Sequence, residues 1–298
     1  MMTRRSFLGV ATAAAAGATA RPALAIDPFK RQGPTRMKLS LAAYSFRSVL
    51  TGANKSMTLE DFVDKAAGWD LDAVEPTSYY FPDPPTPEFC RRLRRRAFLH
   101  GLEISGTAVG NTFTHPPGPQ RDKEIAHVKR WIDLAAELHA PTIRIFAGNL
   151  QKGTSEDQAR QWCIDATKEC LDHAGTRGIM LALENHGGIV TTVEQLLAIV
   201  TAINHEWFGV NWDSGNFRSA DPYGDLAKAA PYAVVSQIKT EISPKGARQE
   251  ADFAKLVGIL RQANFSGYVA LEYEAKSDPF VAVPTHLQEL RRLISATS

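Results

Sequence analysis

Met180-Leu181-Ala182-Leu183-Glu184-Asn185-His186-Gly187-Gly188 is the stretch whose reading decides the fold. Four apolar residues stop at a carboxylate, and the glycine pair turns the chain away. Thr191-Thr192-Val193-Glu194 then has the form of a capping box that opens a helix through Ile203. A short apolar run, a polar loop and an amphipathic helix make one unit, and the unit recurs on both sides. Before it lie apolar runs at 39–44, 73–74, 104–109 and 142–146; after it come 208–212, 234–238 and 268–271. Runs this short, bounded by turn residues, read as strands buried on both faces. Between them Thr86-Pro87-Glu88 starts a helix that Gly101 ends, apolar stripes mark helices over about 120–138 and 155–174, and Pro279 starts a last helix ending near Ile294. Eight strand–helix units over roughly 260 residues predict an α/β protein of the (β/α)8 TIM barrel type. An open doubly wound sheet is the rival, and it lacks a Gly-x-Gly-x-x-Gly turn after the first strand.

Composition narrows the function. The chain has 298 residues and a net charge of +2, with 44% hydrophobic and 22% charged residues. That balance is ordinary for a globular protein and offers no electrostatic footprint for nucleic acid. Three cysteines lack C-x-x-C spacing, and Cys163 and Cys170 read as small buried hydrophobes on a helix. Residues 1–25 look like an address: Arg4-Arg5 before Ser6-Phe7-Leu8, an Ala- and Gly-rich stretch, then Pro22-Ala23-Leu24-Ala25. This pattern resembles a twin-arginine signal peptide, implying export of the folded protein to the periplasm through the Tat machinery. Residues 26–37 read as a linker and 38–298 as the barrel. No later run of strongly apolar residues is long enough to span a membrane.

In such barrels the chemistry sits at the carboxyl ends of the strands. Strand five ends in Glu184, strand six in Asp213, strand seven carries Gln237 and Lys239, and strand eight ends in Glu272 and Glu274. Glu184 to Asp213 is 29 residues, Asp213 to Gln237 is 24, and Gln237 to Glu272 is 35, each about one strand–helix unit. One oxygen donor per consecutive strand end would converge on one point. Carboxylates so placed repel unless a cation lies among them. A hard divalent ion held by Glu184, Asp213, Gln237 and Glu272 is the simplest expectation, with Mn2+ ahead of Mg2+, Co2+ or Zn2+ because no thiolate and at most one imidazole is near.

At these residues the chain resembles the xylose isomerase-like TIM barrel family, the sugar-phosphate isomerase/epimerase group, over about 38–294. The resemblance is carried by Leu183-Glu184-Asn185-His186-Gly187, Trp212-Asp213-Ser214-Gly215-Asn216 and Leu271-Glu272-Tyr273-Glu274. It implies metal-assisted proton transfer beside a sugar carbonyl through an enediolate, with Glu184 and Glu272 as both ligands and acid/base pair. Two positions depart from the family pattern. The usual His-x-His-x-Lys of strand seven reads Val235-Ser236-Gln237-Ile238-Lys239, so Gln237 would ligate through its amide oxygen. Asn216 stands where many epimerases of the family have a His.

Lys239 is expected either to neutralise an oxyanion or to pair with Glu241 or Glu274. His186 is a candidate for contact with a substrate hydroxyl or for a proton shuttle. Glu75 ends strand two and Tyr79 follows it, where aromatics pack on sugar faces or plug the barrel. Phe113 after strand three, Asn216 and Glu274 complete the candidate substrate contacts. Arg144, alternating with apolar neighbours, is expected inside the barrel, paired with Glu75 or another acid. The expected function is a metal-dependent sugar or keto-sugar isomerase/epimerase, possible as a homo-oligomer. A lyase acting on a keto-sugar or 3-keto-glycoside through the same enolate is the alternative.

Overall fold

The computed structural model describes residues 28–296. The signal-peptide reading of 1–25 falls outside them. In chain order the strands are β1 (Met37–Ala42), β2 (Ala73–Glu75), β3 (Glu103–Ile104), β4 (Thr107–Ala108), β5 (Thr142–Ile145), β6 (Met180–Glu184), β7 (Phe208–Asp213), β8 (Ala233–Lys239), β9 (Glu241–Ile242), β10 (Gln249–Glu250) and β11 (Gly267–Glu272). Nine of them form one sheet in the order β3-β2-β1-β11-β8-β7-β6-β5-β4, with parallel pairing throughout. This is a nearly closed TIM barrel, as expected. β9 and β10 pair antiparallel as a hairpin after β8.

The seam lies in the run 104–109, expected as one strand. It breaks at Ser105-Gly106 into β3 and β4, which pair with different neighbours. A Cβ on Gly106 would come within 2.6 Å of Thr142 Oγ1, so the strand passes β5 too closely for a side chain there. An isolated bridge from Thr77 to Ala108 spans the gap.

The helices are α1 (Arg47–Leu50), α2 (Leu59–Ala66), α3 (Pro87–Leu99), α4 (Pro119–Leu138), α5 (Glu156–Arg177), α6 (Val193–Ile203), α7 (Pro222–Ala229), α8 (Phe253–Gln262) and α9 (Pro279–Ser295). Thr86 caps α3 by accepting from Phe89 N, with Pro87 in the first turn. The box before α6 forms one residue later than its sequence pattern. Thr192 accepts from Gln195 N, and Gln195 Oε1 accepts from Thr192 N. Glu194, the expected partner, instead pairs with Lys228 on α7 at 3.1 Å. Helix α5 runs three residues past Ala174 and ends at Gly178, whose φ of 68° is cheap only for glycine.

The two strand faces differ in character. Facing the helices are Leu39, Leu41, Ile143, Ile145, Leu181, Leu183, Trp212 and Leu271, all fully buried. Each large apolar side chain hidden this way stabilises the fold by about 1.5–3 kcal/mol. Facing the barrel axis, two residues apart along each strand, are Ser40, Thr142, Arg144, Glu184, Asn211, Asp213, Gln237, Lys239 and Glu272, also buried. Their polar groups bond to one another across the axis: Ser40 and Ser105 hydroxyls lie 2.7 Å apart, and Asn211, Gln237 and Glu75 form a chain. The interior is therefore a polar stack where branched apolar layers are usual. The cysteines are free and buried, in line with their reading as hydrophobes. Among the described residues no helix is long and apolar enough to cross a membrane.

The described part of the expected linker lies against the amino-terminal face of the barrel. Phe29 N donates to Pro231 O, Gly267 N to Arg36 O, and Arg31 Nη2 to Ala233 O at 2.6 Å. The Arg31 guanidinium lies 5.3 Å from the Phe29 ring centre and 5.2 Å from that of Phe265. Arg31→Ala removes both cation–π contacts and the hydrogen bond, so denaturant unfolding should show a loss of about 1–2 kcal/mol. An unchanged midpoint would mean that this strap is dispensable.

Candidate active site

The carboxyl ends of β5, β6, β8 and β11 deliver their inward side chains into one mouth. Glu184, Lys239 and Glu272 are the last residues of β6, β8 and β11, and Asp213 is the last of β7. The loops behind them are fixed by side-chain-to-backbone bonds. Asn185 donates to Asp213 O and accepts from Asp213 N, tying the ends of β6 and β7 together. Ser214 Oγ accepts from Lys239 N, tying β7 to β8.

A cavity of about 170 Å³ opens over these residues, its polar wall formed by Arg144, Glu184, Gln237, Lys239, Glu272 and Glu274. Tyr44, Tyr79, Phe146 and His186 form its aromatic rim. A second cavity of about 220 Å³ adjoins it, sharing Phe146 and His186 and lined by Asn111, Asn149 and the glycines 148, 187 and 188. Together the two lobes reach the size of a small-molecule site.

Lys239 Nζ is the hub. It lies 3.2 Å from Asp213 Oδ2, 3.3 Å from Glu274 Oε1 and 3.8 Å from Glu272 Oε1, and donates to Asn216 Oδ1 at 3.3 Å. Its ion-pair partner among the two expected is thus Glu274; Glu241 turns outward to Arg248. Arg144 Nε lies 2.8 Å from Glu184 Oε2, which settles the acid it pairs with. Glu75 was the other candidate, but its Oε1 accepts from Gln237 Nε2 at 2.6 Å. The Arg144 guanidinium also stacks 3.9 Å from the Phe146 ring centre and donates to Tyr79 Oη at 3.3 Å.

Burial sets the proton affinities. It raises the Glu184 carboxyl to about 7 even though Arg144 pulls the other way. It raises Glu272 well above the ordinary carboxylate range against the pull of Lys239, and raises Glu75 despite its bond from Gln237. For Lys239 burial works against the charge, but Asp213, Glu272 and Glu274 outweigh it and hold the ammonium firmly protonated. Burial beside Lys239 and Arg144 lowers the His186 imidazole to about 4, so at neutral pH it is an uncharged hydrogen-bonding group rather than a proton carrier.

A family model described as "Xylose isomerase-like TIM barrel" matches residues 63–295. The chain belongs to this family. No curated protein matches it in sequence. Several solved xylose isomerase-like barrels share the fold. D-Psicose 3-epimerase of Clostridium cellulolyticum H10, solved with D-tagatose, is 13% identical, with a TM-score of 0.72 over 87% of this chain and 100% of that one. The IolI protein, solved with a bound zinc atom, is 19% identical, with a TM-score of 0.69 over 86% of this chain and 96% of that one. The 3-keto-D-glucoside 4-epimerase of E. coli is 15% identical, with a TM-score of 0.66 over 86% of this chain and 100% of that one.

In this xylose isomerase-like barrel the four expected metal ligands do not form a cage. Gln237 has both ends engaged, since Oε1 accepts from Asn211 Nδ2 at 2.7 Å and Nε2 serves Glu75. Glu184 Oε1 accepts from Asn216 Nδ2 at 2.8 Å while Oε2 faces Arg144. Asp213 Oδ1 accepts from Gly215 N at 2.8 Å, and Oδ2 faces Lys239. Among the described residues no three His, Cys, Asp or Glu side chains are grouped to hold a metal ion. As arranged, these donors turn to protein partners rather than to one shared point, while Asp213 Oδ2 is buried with no hydrogen-bond partner. An ammonium and a guanidinium lie beside these carboxylates, and Gln237 stands where the family pattern has a His.

Of the substrate contacts, His186, Tyr79 and Glu274 line the first cavity. Asn216 lines a small adjoining cleft with Lys239 and Glu274, where it bridges Lys239 and Glu184. Glu75 and Phe113 require correction. Glu75 is buried among inward side chains, with Gln237 between it and the mouth, and Phe113 is fully buried in the apolar core. Tyr44 and Phe146 belong to the rim and were not singled out from sequence. Each ends an apolar run, the same signal that found the acids, but aromatic residues there blend into the strand pattern.

Proposed function

We propose that the mouth binds a small carbohydrate or keto-sugar and moves a proton on the carbon beside its carbonyl, as an isomerase or epimerase does. The observation that carries this reading is the pair Glu184 and Glu272. Both are buried carboxyls of raised proton affinity lining one cavity, and the Lys239 strand lies between theirs. Glu184, raised to about 7, accepts the carbon-bound proton as a carboxylate; Glu272, which burial raises above the ordinary carboxylate range, is the group that returns a proton, and the roles exchange in the reverse direction. The electron pair left on carbon moves onto the carbonyl oxygen, where the Lys239 ammonium stabilises the enediolate charge. His186, Tyr79 and Glu274 position hydroxyls. The sugar-epimerase descriptions of barrels with this fold support the substrate class.

The test is solvent exchange. Incubation with a panel of ketoses and keto-glycosides in heavy water should place deuterium at the carbon beside the carbonyl of one of them. Absence of exchange with every candidate would remove the reading.

The adjoining second cavity favours one further reading. A glycoside with its keto-sugar in the first lobe and its substituent past Phe146 and His186 would fill both. Elimination of that substituent from the enolate would make the protein a lyase. Mass spectrometry separates the outcomes, since isomerisation conserves mass and elimination releases a fragment.

The sequence of residues 1–25 supports export through the twin-arginine route to the periplasm. Fractionation of cells before and after Arg4→Lys/Arg5→Lys substitution tests this, with retention of the double variant in the cytoplasm as the expected result.

A further inference from the structure

We infer that Lys239 occupies the place of a divalent cation in this barrel, so that the protein works with a built-in ammonium and binds no metal at its mouth. Three features carry this. The Lys239 Nζ lies within 3.8 Å of oxygens from Asp213, Glu272 and Glu274, two of them expected metal ligands. The β8 position that would complete the cage holds Gln237, whose amide oxygen accepts from Asn211 and whose amide nitrogen donates to Glu75. The path of the lysine is also built in: a Cβ on Gly215 would meet Lys239 Cδ at 2.7 Å and Cβ at 3.1 Å, so the glycine leaves room for the stem. Lys239 is itself only 7% exposed, held by neighbours from β7, β11 and the β7 loop.

A divalent ion placed among the same oxygens would stand against a fixed positive charge. The three donors of the ammonium face Asp213, Glu274 and Asn216, so a carbonyl oxygen in the cavity would be bound by displacing the partly exposed Glu274 or Asn216 from one of them. Arg144 completes the replacement by serving Glu184, the third expected ligand.

The inference rests on the proposed reading of the cavity only for the electrophile role of Lys239. Its test reads metal content without substrate, so the two fail separately. The full-length protein is produced in medium supplemented with Mn2+, Co2+ and Zn2+, purified without chelator, and analysed for bound metal. It is then titrated calorimetrically with Mn2+ and Zn2+. The expected result is below about 0.1 ion per chain and no binding heat at the mouth. About one ion per chain, as isolated or on titration, overturns the inference. The double variant Lys239→Met/Gln237→His, with its fold checked by circular dichroism, removes the ammonium and supplies an imidazole. It should take up about one ion per chain. A folded double variant that takes up none would also overturn the claim, because the ammonium would then not be what keeps metal out. Lys239→Arg keeps a cation at the site and should remain as metal-free as the unaltered protein.

Discussion

Glu272→Gln is expected to slow substrate proton exchange with solvent by about 10²- to 10⁴-fold while leaving the fold intact. The substitution keeps shape and removes the carboxyl group that would exchange a proton with the substrate. Glu272 is 8% exposed and touches Lys239 only at 3.8 Å, so an amide there loses little ion pairing. Lys239 retains its closer contacts to Asp213 and Glu274. A thermal melt should therefore stay near that of the unaltered protein, and the rate alone should fall. The comparison that gives the result its meaning is Glu274→Gln. That side chain is 30% exposed, lines the same cavity and pairs with the same lysine, so the change should cost less than about tenfold. Deuterium uptake measured for both variants decides the matter. If Glu274→Gln proves the more damaging, the acid/base assignment belongs to Glu274 and the proposed proton path is wrong.

The barrel was legible because each unit repeats one local signal: a short apolar run, a polar stop, then a capped amphipathic helix. Thr86-Pro87 announces its helix from sequence because capping is a contact among near neighbours in the chain. The break at Ser105-Gly106 was not legible. It depends on how near β3 and β4 pass to Thr142, a distance that only closure of the sheet sets. The shift of the α6 cap from Thr191 to Thr192 is local: Gln195, three residues past Thr192, accepts from the Thr191 and Thr192 amides, and Glu194 is left to pair with Lys228.

The site was legible to the level of which strand ends carry acids. Glu184, Asp213, Gln237, Lys239 and Glu272 do gather at one mouth, as the spacing of the units predicts. What they do to one another was hidden. Sequence spacing counts carboxylates and finds a need for positive charge, but it does not say whether an ion or a side chain meets that need. Lys239 and Arg144 are visible in the sequence as charged residues on strands, yet their reach to Asp213 and Glu184 depends on neighbours across the barrel. Gln237 illustrates the same gap: its amide was free to ligate until Asn211 and Glu75 appeared at its two ends.

Arg144→Met should be among the most destabilising single changes in the interior, and its cost should depend on pH. The guanidinium lies 2.8 Å from Glu184 Oε2, with both side chains almost fully buried. Removing one partner of a buried pair costs about 3–5 kcal/mol when the other is left charged. Glu184 has a way to avoid that cost, because burial already raises its carboxyl from 4.5 to about 7 and Arg144 is the main opposing influence. Without the arginine the folded-state affinity for the proton rises further. A carboxyl raised in the folded state favours folding while protonated and loses that advantage as pH climbs through its folded value. The variant should therefore stand close to the unaltered protein near about pH 5 and fall away progressively by about pH 8. Urea unfolding at the two pH values reads this directly. A loss of equal size at both would assign the role of Arg144 to its packing on Phe146, 3.9 Å from the ring centre, and its hydrogen bonds to Tyr79 Oη and Val109 O, rather than to the charge it brings to Glu184. A loss that grows with pH would establish that the interior of this barrel carries its own counter-charges, and that Glu184 keeps its ionised form near neutrality only through Arg144.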